Sequence, residues 1–293
     1  MMAKASSMAK TKHGQGGFSA RLVGEHGIGL FLSILFIAPI AWAILSTFKP
    51  PAEARLPPIP PWPTTGFSLE NYVTLDSFGA GLWHSAQNSI FVAGSSVVLT
   101  AVISLLAGYG FSRFRFPFKN LFFILILSTI MIPFQSILTP IFLILSWLGL
   151  QNTLTGLILV YVTLQMPFSI FMMRNAFDAV PKEIEEAARI DGATNFALLT
   201  KVMLPLVWPG VVTVGLFAFL NTWNEFLAAL VLMTDQGKFT LPIMMTAVQS
   251  GRFGAVDWGA VQAGVTVMMI PCLILFLLLQ RYYIRGLTAG AVK

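Results

Sequence analysis

Six long apolar runs separated by polar stretches set the pattern of this chain. The first covers Ile28 to Phe48, the second Trp83 to Phe111, the third Leu121 to Leu148 and the fourth Leu157 to Met173. The fifth follows residues 178–210 and reaches about Met233; the sixth extends from about Gly259 to Gln280. A helix crosses a hydrocarbon core with roughly 20 apolar residues, so each run predicts a membrane span. Pro133 and Pro140 lie inside the third run, which therefore reads as one kinked or broken helix, and Pro167 lies inside the fourth. Gly94, Gly108 and Gly110 in the second permit close helix contacts. Residues 1–26 are polar and read as a flexible tail; a cleavable signal is the rival, disfavoured because the first run has spanning length and no small-residue cleavage site follows it. Between Lys49 and Leu82 the prolines argue against regular helix, which predicts an extended external segment. The expected fold is all-α and polytopic, with six transmembrane helices, a tail over 1–27, a transmembrane domain over 28–285 and a second tail over 286–293.

Composition supports this reading. With 56% hydrophobic and 10% charged residues, the chain is too apolar for a soluble domain, and lipid is its first partner. The net charge of +6 would suit nucleic acid, but its distribution points elsewhere. With the amino terminus inside, only Lys49, Arg55, Lys238 and Arg252 of the 18 basic residues face outward. Basic residues are retained on the inner side during insertion, so both termini and the 178–210 loop are expected in the cytoplasm, and no nucleic-acid partner is expected.

Little in the chain suggests an enzyme. His13, His26 and His84 pair with no Cys, Asp or Glu at metal-ligand spacing, Cys272 stands alone, and no GxxxxGK[ST] loop occurs. No metal site, no cofactor and no catalytic residue are expected, and any ATP used must be bound by a separate subunit.

The polar run from Asp178 to Gly210 must lie outside the lipid. It reads as two short helices around a bend. Pro181 suits a first helical position, Gly192 the left-handed residue after a helix end, and Thr194 a cap, while Pro205 is expected to stop the second helix. Ile184, Ala187, Ala188 and Asp191 fall on one stripe, whose small side chains allow another surface to approach the backbone. Lys182/Glu186 and Glu185/Arg189 are spaced as ion pairs on the wet side.

Glu225 is the one acidic residue inside an apolar run, and a carboxylate there is costly unless paired or hydrated. Asn221 lies four residues before it and Asn224 beside it. Two readings stand: these three side chains line a substrate path, or Glu225 ties helices together.

The order Glu186-Ala187-Ala188, three residues, Gly192, nine residues, Val202, one residue, Leu204-Pro205 resembles the "EAA" loop of ATP-binding-cassette importer permeases, with Val202 where that family usually has Ile. TFKPPAE at 47–53, ENY at 70–72, Gly108-Tyr109 before Arg113, WNEF at 223–226 and GLTAGAVK at 286–293 are similar to the sugar-importing, maltose-transporter branch. The resemblance implies a type-1 importer core at about 84–281 and an ATPase-coupling role for Glu186, Ala187, Ala188, Asp191, Gly192, Leu204 and Pro205. Glu186 would hold the loop geometry. It also implies that Thr288, Gly290, Val292 and Lys293 touch the ATPase dimer. The implied partners are two ATPase subunits, a second related permease, an external substrate-binding protein and a sugar, in the cytoplasmic membrane of a prokaryote. The rival within transport is a carrier driven by an ion gradient, for which Glu225 is the only acidic candidate.

Overall fold

A computed structural model of the chain describes residues 15–54, 59–251 and 256–289, with side chains described over 26–54, 59–251 and 256–279. Among the described residues there is no strand, and the architecture is an all-α membrane bundle. Helix α1 spans Gln15–Ser46, so helix begins well before the apolar run and takes in part of the segment expected to be a flexible tail. Then come α2 (Glu70–Asp76), α3 (Leu82–Arg113), α4 (Lys119–Ser128), α5 (Phe134–Trp147), α6 (Leu154–Asp178), α7 (Lys182–Ile190), α8 (Asn195–Ala197), α9 (Leu204–Asn224), α10 (Leu227–Leu232), α11 (Leu241–Gln249) and α12 (Trp258–Ala289). Five stretches are long and apolar enough to cross a membrane: His26–Ser46, Leu82–Arg113, Leu154–Asp178, Asn195–Asn224 and Trp258–Leu279.

The third run is broken rather than kinked, and it makes a sixth span if its two helices cross together. Helices α4 and α5 meet at 105°, around a 3₁₀ turn at Thr129–Met131 and extended backbone at Ile132. Ile132 precedes Pro133, whose ring disfavours helical backbone in the residue before it. Pro140 sits within continuous α5, so the break belongs to Pro133 alone.

Helices α3, α6 and α9 pack against one another as the centre of the bundle, and α12 joins α1, α2 and α11 at its side. The α3/α6 crossing is close because Gly108 has no side chain: a Cβ there would lie 2.5 Å from Met173 Cβ and 2.9 Å from the Arg174 backbone nitrogen. By contrast, a Cβ at Gly94 would meet nothing within 4 Å, and one at Gly110 only Phe114 at 4.0 Å, so of the three glycines Gly108 alone serves helix contact among the described residues. At the α7 end, Tyr109, Met173, Phe177, Leu198, Met203, Val207 and Val214 form a buried cluster. At the other end Leu75, Leu82, Trp223, Leu241, Met244 and Ala260 form a second. Large apolar side chains such as Phe36, Ile124 and Leu277 face outward, as a surface bathed in lipid requires.

The Pro-rich segment is only partly extended, since it contains α2 and a 3₁₀ turn at Pro51–Glu53. Asn71 of α2 is fully buried, and its Nδ2 donates to the carbonyls of Thr47 (2.8 Å) and Lys49 (2.7 Å), which anchors α2 to the end of α1. Glu53 accepts from the Thr65 hydroxyl and from the amides of Thr64 (3.0 Å) and Thr65 (2.8 Å), and these bonds, the Thr65 hydroxyl foremost, hold its carboxyl down to about 2.

Candidate functional site

The polar run forms an elbow at the end of the bundle where α3 and α6 finish. Helix α6 ends at Asp178, and Pro181, with φ −57° and ψ 140°, is the residue just before α7, one position earlier than expected. After α7 the backbone reverses at Gly192, whose φ of +84° is the left-handed region that glycine enters without strain. Thr194 Oγ1 accepts from the Ala197 amide at 3.3 Å and caps the turn that follows.

Pro205 does not stop the second helix. Residues Leu198–Met203 form a π-helical turn that carries α8 directly into α9, so Asn195–Asn224 is one continuous rod of 30 residues. The π-helical turn places Pro205 at the second position of the α-helical segment that follows it. The elbow is thus continuous with a membrane span.

The expected stripe on α7 is divided. Ala188 turns toward the buried Tyr109–Phe177 cluster, while Ile184, Ala187 and Asp191 remain exposed. Alongside them Ile190 is 86% exposed and Phe196 is 77% exposed, two further apolar side chains that stand out from the loop. Gly192 and Pro205 are exposed and Leu204 is half-buried.

Neither expected ion pair on α7 forms among the described residues. Glu185 turns inward and is 7% exposed, paired with Arg113 at the end of α3; Glu186 is exposed and carries no ion pair among the described residues. Arg113 Nε donates to Glu185 Oε1, its Nη2 donates to the Val180 carbonyl at 2.7 Å, and its Nη1 reaches Ser112 Oγ at 3.3 Å. So it is Glu185, not Glu186, that fixes the loop. Residues four apart share one helix, whereas Arg113 lies 72 residues from Glu185 on another.

Glu225 is also placed by the structure. Helix α9 ends at Asn224, and Glu225 has extended backbone, so it does not continue a helical face with Asn221. Its carboxylate accepts from the Tyr161 hydroxyl at 2.6 Å and from the amides of Ala228 (2.9 Å) and Ala229 (3.4 Å) at the start of α10. Buried Thr222 instead accepts from Gln165 Nε2 at 3.0 Å. Asn221 is exposed; Asn224 donates to the Leu220 carbonyl at 2.8 Å and borders a cavity of about 420 Å³ with Ile40, Met268 and Cys272. The three polar residues therefore do not converge. Glu225 ties α6 to α10, and Glu225→Ala is expected to destabilise the chain by about 1–3 kcal/mol, since it strands the Tyr161 hydroxyl and two amides. Glu225→Gln, which keeps an acceptor, should cost less. Thermal unfolding of the purified variants in detergent checks the order, and equal melting of Glu225→Ala and the native chain would contradict it.

Thr288 falls in the last turn of α12, where only backbone is described, and Gly290, Val292 and Lys293 lie outside the described residues.

One of the helices long enough to cross a membrane is thus continuous with a polar elbow. Residues 100–289 match the family described as "Binding-protein-dependent transport system inner membrane component", and the chain belongs to that family. It is a multi-pass permease of the ATP-binding-cassette kind. The chain is 35% identical to a probable ABC transporter permease protein, YurM, of Bacillus subtilis, over 92% of this chain and 89% of the relative. It is 32% identical to the diacetylchitobiose uptake system permease protein NgcG of Streptomyces coelicolor, over 92% and 88% respectively. Its fold is similar to a chain in the crystal structure of a bacterial ABC transporter involved in the import of the acidic polysaccharide alginate, with a TM-score of 0.75 at 23% identity, covering 92% of this chain and 99% of that one.

Proposed function

We propose that this chain imports a carbohydrate across the cytoplasmic membrane of a prokaryote. It does so as one of two related permease subunits carried by two ATPase subunits and supplied by an external binding protein. ATP is bound by the ATPases. The observation that carries this reading is the elbow: Ile184, Ile190 and Phe196 stand exposed on it, and the elbow continues unbroken into a membrane span. Three exposed apolar side chains on one short polar loop fit a face on which a protein docks. Closure of the ATPase dimer pushes the elbow, and the rod carries the push into the bundle.

The carbohydrate assignment draws on the diacetylchitobiose and alginate systems that the chain is similar to. Arg113, Arg115, Lys119, Arg174, Lys182, Arg189 and Lys201 gather at the elbow end, which supports a cytoplasmic elbow. Thr288, Gly290, Val292 and Lys293 would then follow α12 toward the ATPase pair.

Reconstitution tests the reading. Vesicles holding this chain, its companion permease and the ATPases, with binding protein and labelled oligosaccharide on the outer side, should accumulate sugar when ATP is enclosed and ion gradients are collapsed. Uptake that follows an imposed ion gradient and ignores ATP would establish the rival carrier.

A further inference from the structure

We propose that Arg113 is a positioning residue for transport, a clamp through which movement of the elbow reaches α3. This rests on the reading of the chain as an ATP-driven permease.

The elbow is joined by the chain itself to α6, through residues 179–181, and to α9, through the π-helical turn. It has no such connection to α3, the helix that packs along both. Arg113 supplies one. It is the last residue of α3, and its fork engages Glu185 on α7 and the Val180 carbonyl at the α6–α7 junction, the second at 2.7 Å. The neighbouring Ser112 hydroxyl donates to Asp178 Oδ1 at 2.5 Å, at the last residue of α6. Asp178 also pairs with Arg174 at 3.5 Å, and the Arg174 guanidinium lies 4.0 Å from the centre of the Phe123 ring on α4. An unbroken series of polar and cation–π contacts therefore runs from α7 through α3 and α6 to α4.

The Arg113 and Glu185 side chains are 7% and 9% exposed, which makes this contact stiff. A charge pair shielded from water gains strength from its low-dielectric surroundings, and separating it leaves two charges without solvent or partner. Sliding α7 along α3 would do that. An exposed pair would exchange partners with water and give way. The planar fork matters as well, because a lysine at 113 offers a point charge without the fixed directions that reach a carboxylate and a carbonyl together. The ends of α3, α6 and α7 thus move as one body.

Two measurements on the reconstituted complex test the clamp. The first is the ratio of sugar imported to ATP hydrolysed. Glu185→Gln should lower it roughly tenfold, within the range of site-to-site coupling, and Glu185→Asp, which keeps the charge, should recover part of the loss. Reduced assembly lowers both activities alike and leaves the ratio unchanged, so a purely structural role would not produce the effect. A native-like ratio in Glu185→Gln overturns the clamp.

The second measurement decides the matter if the Glu185 variants do not assemble. Spin labels replace exposed Glu183 on α7 and exposed Leu106 on α3, with Cys272→Ala to leave no other thiol. Their separation should stay constant between nucleotide-free and ATP-trapped complexes; a change approaching one helical turn, ~5.4 Å, overturns the proposal. If the native complex shows no ATP-driven uptake, the functional reading fails and the clamp with it, whereas uptake accompanied by a changing label separation removes the clamp alone.

Discussion

Gly108→Leu is expected to abolish a stable bundle. A Cβ at this position would sit 2.5 Å from Met173 Cβ and 2.9 Å from the Arg174 nitrogen, so the obstacle includes the main chain of α6 and not merely the end of a flexible side chain. Relief requires α3 and α6 to separate along the crossing that also carries Tyr109, Met173 and Phe177, all 5% exposed or less. Overpacking a tight core costs about 1–3 kcal/mol where side chains can adjust, and here the main chain blocks that adjustment, so the loss should exceed about 3 kcal/mol. Gly94→Leu on the same helix is the control, because an added Cβ there meets nothing within 4 Å. Melting temperature in detergent and yield of monodisperse protein report the difference. Native-like melting of Gly108→Leu would mean that the crossing is looser than described.

Gly192→Leu should leave the bundle folded and disconnect transport from ATP. Gly192 has open space around it, so no clash arises; the penalty comes from its φ of +84°. A residue with a Cβ loses about 1–2 kcal/mol there, too little to unfold the chain but enough to swing α7 toward a backbone without that strain. The elbow would then present Ile184, Ile190 and Phe196 in the wrong direction. The expected order of transport is native, then Gly192→Asn, since asparagine tolerates the left-handed region, with Gly192→Leu and Gly192→Val lowest. The checks are ATP hydrolysis and sugar uptake on assembled complexes, and full uptake in Gly192→Val would contradict the elbow's role.

The spans could be read from the sequence because an apolar run of spanning length leaves few alternatives. The elbow could be read because Gly192 and Thr194 state their backbone requirements locally. What escaped reading lay in contacts between distant segments. Glu185 looked like a wet-side residue because Arg189 was its nearest basic neighbour by spacing; the residue it pairs with, Arg113, closes a different helix. The one sign available was an arginine ending an apolar run. Pro205 looked like a stop because the spacing of side chains does not disclose a π-helical turn. Pro133 signalled a break but not an angle of 105°, and α2 forms beyond the last proline of its segment, with Asn71 bonded to the carbonyls of Thr47 and Lys49. At Glu225, two polar residues four apart suggested a shared face, yet the helix ends between them.

The rod from Asn195 to Asn224 has a mechanical consequence. At 1.5 Å per residue, its 30 residues measure about 45 Å, so a turn of about 10° around its Asn195 end sweeps the far tip through about 8 Å. Modest swivelling beside Thr194 is thereby magnified by leverage before it arrives at the joint at Glu225, where stiffness ends and α10 starts a new direction. Length alone supplies the gain.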